Sequence, residues 1–90
     1  MGFFSYILNM NKRNADPIQQ RMARMLIDVV EGREHPIELV HYIQSQGWER
    51  SDQIERLTHA LSVVRVTRGD LYRPAQEIYR QVGTVLQATA

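Results

Sequence analysis

Gln53, Arg56, Thr58 and His59 stand close together, and Arg65, Arg68 and Arg73 follow within a short stretch. These types suit duplex DNA. A glutamine amide pairs with the edge of adenine and a guanidinium forks onto guanine, while threonine and histidine meet base edges or phosphate. Each good bidentate pair gives about 1 to 3 kcal/mol of discrimination. The planar guanidinium also matches phosphate geometry, which suits Arg65, Arg68 and Arg73 to the backbone. Asp52 and Glu55 lie in the same leading turn, where a carboxylate near phosphate costs energy unless it meets a cytosine amine or an arginine. A solvated face explains this helix about as well as a reading head does.

Other chemistries find less support. His35, His41 and His59 fall on different elements and none has a second ligand at metal spacing, so no metal site is expected. Glu31 with Glu34, and Asp52 with Glu55, read as helix-end charges rather than an acid and base pair, because no nucleophile motif or glycine-rich loop accompanies them. The chain has no cysteine, which removes disulfides, thiolate ligands and cysteine nucleophiles and fits a reducing cytoplasm. No enzyme activity and no cofactor are expected. Arg68-Gly69-Asp70 spells an integrin-recognition tripeptide, which a chain of this composition gives no reason to adopt.

Ninety residues with 43% hydrophobic content make one folded domain, residues 1–90, small enough that a second copy would add useful core. Ten arginines and one lysine oppose ten carboxylates, for a net charge of +1. Long-range steering towards nucleic acid is therefore weak, and DNA binding must rest on locally concentrated arginine.

The elements that position these residues are marked by their ends. Asp16, Pro17, Gln19 and Gly32 bracket a helix over 17–31 that buries Ile18, Met22, Met25, Leu26 and Val29 and turns Arg21, Arg24 and Asp28 elsewhere. Pro36 and Gly47 bracket a helix over 36–46, with Ile37, Val40 and Ile43 or Leu39 inside. Trp48 follows and is expected to seal the corner to the next helix, 52–61, which opens with Asp52 and Glu55 in capping-box relation and buries Ile54, Leu57 and Leu61. At Ser62 two readings compete. Val63, Val64, Val66 and Thr67 are β-branched and favour extended chain, and Arg68-Gly69-Asp70 suits a turn, which predicts a hairpin over 63–73. Val64 also continues the helical spacing of Leu57 and Leu61. Pro74 and Glu77 open a last helix to about 87, striped by Ala75, Ile78, Val82 and Val85.

The run from Arg21 to Ala75 resembles the winged helix-turn-helix superfamily. Four features carry the resemblance: Met25-Leu26-Ile27-Asp28-Val29-Val30, Pro36-Ile37-Glu38-Leu39-Val40, the Ile54, Leu57, Leu61 spacing, and Val64-Arg65-Val66-Thr67-Arg68-Gly69-Asp70-Leu71-Tyr72-Arg73-Pro74. It implies a mostly α fold with a small β-hairpin (α+β), with the winged core at 16–73. It further implies a major-groove helix at 52–61 and phosphate or minor-groove contacts from Arg65 and Arg68. The alternative is an all-α bundle of about five short helices. The N-terminal stretch fails as a lipidation signal at Tyr6 and is too short for a membrane span, so Phe3, Tyr6, Ile7 and Met10 point to a docking helix in 1–14. The resulting expectation is a small cytoplasmic transcription regulator binding double-stranded DNA, with no membrane association, dimerised through the helix at 74–88. The competing expectation is a protein-binding adaptor, inhibitor or antirepressor.

Overall fold

A computed structural model describes residues 16–89. The docking helix expected in 1–14 lies outside them. The chain forms α1 (Pro17–Val30), α2 (Pro36–Ser45), α3 (Arg50–Thr67), a short 3₁₀ turn (Gly69–Leu71) and α4 (Tyr72–Ala88). There is no strand among the described residues. α1 packs on α3 and α4, α2 on α4 and α1, and α3 on α4.

Local chemistry sets the first two helices. The Asp16 carboxylate accepts from the Ile18 amide at 2.9 Å, and Pro17 occupies the first turn, where a missing N–H costs nothing. Gly32, at φ +79°, ends α1. Around it the Gly32 amide donates to the Val29 carbonyl at 3.1 Å and the Arg33 amide to the Asp28 carbonyl at 2.8 Å, the paired bonds of a Schellman turn. At the start of α2 the cap is His35, whose Nδ1 accepts from the Ile37 amide at 3.1 Å. Gly47, at φ +75°, closes the turn after α2.

The hairpin expected over 63–73 is not formed, and with it the α+β class is corrected to all-α. α3 begins two residues earlier than expected, at Arg50, and runs through Thr67. Helix propensity penalises a β-branched residue by at most about 0.7 kcal/mol. Burying a valine side chain returns about 1.5 to 3 kcal/mol. Val63 and Val64 are 3% and 0% exposed in the helical arrangement, so burial outweighs propensity. Thr67 also closes its hydroxyl onto the Val63 carbonyl at 2.7 Å, satisfying a polar group within the helix. Arg68 and the 3₁₀ turn then redirect the chain, and α4 starts at Tyr72, leaving Pro74 within its first turn.

The core is shared by all four helices: Met22 and Leu26, Leu39 and Ile43, Leu57 and Val64, Val82 and Leu86 are its largest fully buried side chains. Val82, expected in a dimer contact, is 1% exposed and belongs to the protein's own interior. No helix among the described residues is long and apolar enough to cross a membrane.

Candidate functional site: the arginines and the α1–α3 groove

The residues expected to read DNA do not form one free surface. Gln53, Arg56 and His59 recur every three positions along one flank of α3, and the first two are half-buried. Thr58 lies roughly 200° further round the helix than Arg56. Its hydroxyl donates to the Ile54 carbonyl at 2.8 Å and meets the Tyr79 hydroxyl of α4 at 2.9 Å. Arg56 lies over the Trp48 ring, 4.5 Å from its centroid. Trp48 is half-buried against the core and carries the guanidinium on its ring. The Arg56 carbonyl accepts from the buried Gln19 amide at 2.6 Å, tying this part of α3 to α1. Gln19, at capping-box spacing from Asp16, therefore spends its amide on a tertiary contact.

The expected wing arginines lie on the end of α3, the turn after it and the start of α4. Arg65 lies 5.6 Å from the Tyr72 ring centroid. Arg68 forks onto Asp70, with Nε to Oδ1 and Nη2 to Oδ2 both at 3.2 Å, and reaches Glu31 at 3.9 Å. The hydrogen bond to Asp70 raises the Arg68 pKa further, and the same bond holds the Asp70 carboxyl below its usual range. Arg73 is exposed on the first turn of α4 without an ion pair among the described residues.

A groove of about 800 Å³ runs along α1 and the C-terminal half of α3. Met25 and Ile27, both half-buried, give it apolar contact surface over the buried Ala23 and Val63, and Arg21, Arg24, Arg33 and Arg68 line it together with Asp28, Glu31 and Glu34. Its charges are unevenly satisfied. Arg33 binds Asp28 through Nε at 3.2 Å and Nη2 at 2.7 Å, and Glu31 through Nη2 at 2.5 Å. The bond to Asp28 is the largest cause of a raised Arg33 pKa. Asp28 is the i+4 acid that would ordinarily pair with Arg24. With Asp28 held by Arg33, Arg24 has no ion pair among the described residues. Arg21, one turn earlier, lies 5.2 Å from the Tyr42 ring centroid and likewise meets no carboxylate there.

Sequence reasoning turned Arg21 and Arg24 outward without assigning them a role. Arg24 and Asp28 stand four residues apart on α1, but the Schellman turn brings Arg33 back onto Asp28. No group of three or more His, Asp or Glu side chains that could hold a metal occurs among the described residues. The chain matches no protein-family model, no curated protein and no solved structure.

Proposed function

We propose that this protein is a non-enzymatic protein-binding adaptor, of the kind that can serve as an inhibitor or antirepressor, and that the α1–α3 groove is its working surface. The observation that carries the reading is the contrast between two surfaces. Among the residues suited to a DNA duplex, Arg68 is forked onto Asp70 and Thr58 meets Tyr79, away from the flank of α3 that carries Gln53, Arg56 and His59. The groove combines apolar side chains with charges of both signs. Helix grooves with an apolar floor and a polar rim accept amphipathic segments. A uniform polyanion gains little from a molecule of net charge +1.

Selection of random 16-residue peptides displayed on phage against the folded protein tests this. The selected peptides are expected to bind saturably and to lose binding to Ile27→Glu and to Thr67→Tyr, which charges or fills the groove. Thr67 is exposed, so its replacement keeps the test valid if Ile27→Glu unfolds. Selected peptides indifferent to both folded variants, or a selection that enriches none, would contradict the groove as the working surface.

A further inference from the structure

We infer that the partner element seated in the α1–α3 groove is an amphipathic helix bearing carboxylates on the flank that meets Arg21 and Arg24; this rests on the protein-binding reading above and specifies its partner. Three features of the groove lead there. First, its walls are two helices, and no strand is present among the described residues to extend an incoming peptide by sheet pairing. A helix laid along α1 satisfies its own backbone and offers apolar side chains at i, i+3, i+4 and i+7 to the half-buried Met25 and Ile27. α1 has 14 residues, about 20 Å of helix, so a partner of similar length covers it.

Second, the rim is asymmetric. Asp28 and Glu31 are already held by Arg33, and Arg68 is forked onto Asp70. Arg21 and Arg24 meet no carboxylate among the described residues, although like charges one helical turn apart disfavour each other. A carboxylate from outside relieves that repulsion. Arg21 is partly held for it, its guanidinium lying over the Tyr42 ring 5.2 Å from the centroid. Third, Asp28, Glu31 and Glu34 line the same groove. They oppose a continuous phosphate backbone but tolerate a helix whose charges are spaced. A protein segment therefore fits better than a nucleic acid.

Two synthetic peptides of 16 residues test the inference. They share one leucine stripe and differ only in carrying glutamate or lysine on the flanks, and each is titrated into ¹⁵N-labelled protein at about 50 mM salt. The glutamate peptide is expected to shift the amides of Gln20, Ala23, Arg24, Ile27, Val63 and Thr67 saturably, and to bind at least about tenfold more tightly than the lysine peptide. Arg24→Glu, at an exposed position, is expected to abolish or reverse that preference while leaving the spectrum otherwise folded; Arg21→Glu gives a second reading of the same charge. Equal affinity for both peptides, shifts on another face, or no binding by either would overturn the inference. If phage-selected peptides still bind the groove, the adaptor reading survives that failure. Shifts produced instead by a duplex DNA at the same salt would overturn both.

Discussion

The Arg56 guanidinium, 4.5 Å from the Trp48 ring centroid, is held by its own fold at a position where the sequence suggested a contact to guanine. A cation–π contact of this kind is worth about 0.5 to 1 kcal/mol at a partly exposed site. Arg56→Ala is therefore expected to lower stability by about that amount and to change the emission of Trp48, the single tryptophan. Urea unfolding followed at Trp48 reads both, and an unaltered midpoint with unaltered emission would contradict the stacking role. Asp70 makes a different prediction. Its carboxyl pKa is lowered in the folded state, mainly by the hydrogen bond from Arg68. The stabilising contribution is present above the unfolded-state value of about 3.9 and disappears as pH falls through the lower folded value. Asp70→Asn should therefore differ from the wild type in midpoint at neutral pH and down to about pH 4, and converge with it below. Curves that stay parallel at low pH would show that the Arg68 contact is not coupled to the proton. Charge pairing at this scale was only partly legible. Arg24 and Asp28 stand at pairing distance in sequence, and nothing local reveals that Arg33 captures Asp28 from beyond Gly32.

At the scale of elements, the helices with strong end signals were readable from the sequence. Asp16, Pro17 and Gly32 bound α1, and Pro36 and Gly47 bound α2, because caps and positive-φ glycines act through neighbouring backbone atoms. The second half of α3 was not. Val63, Val64, Val66 and Thr67 present a local preference for extended chain, and the burial of Val63 and Val64 that overrides it comes from contacts distant in sequence. Two glycine substitutions separate these influences by sign. Gly47 holds φ +75°, a conformation that costs an L side chain about 1 to 2 kcal/mol, so Gly47→Ala should destabilise by about that much. Gly83 lies inside α4, and a Cβ there meets nothing within 4 Å, so Gly83→Ala should stabilise by up to about 1 kcal/mol. Thermal melts of the two variants should move in opposite directions; movement in the same direction would place one of these glycines in the wrong backbone environment.

For the whole molecule, Ala75 and Val82 of the α4 stripe that suggested a dimer contact lie in the protein's own core, while Val85 of that stripe is exposed. Val82 is 1% exposed, and an aspartate there would bury an unpaired charge, so Val82→Asp should cost more than about 4 kcal/mol and unfold the chain rather than yield a folded monomer. Circular dichroism showing native helix content in that variant would contradict this placement. In the same four-helix packing Arg68 is forked onto Asp70 and Arg65 lies against Tyr72, whereas the α1–α3 groove combines the apolar surface of Met25 and Ile27 with Arg21 and Arg24, which meet no carboxylate among the described residues. Which of these two surfaces meets a partner is decided most directly by fluorescence anisotropy of a labelled mixed-sequence duplex, titrated with protein confirmed as folded, at about 50 and then 200 mM salt. The account predicts no saturable binding even at the lower salt. Saturable binding that weakens by orders of magnitude at the higher salt would contradict it and return Arg65, Arg68 and Arg73 to a DNA-binding role.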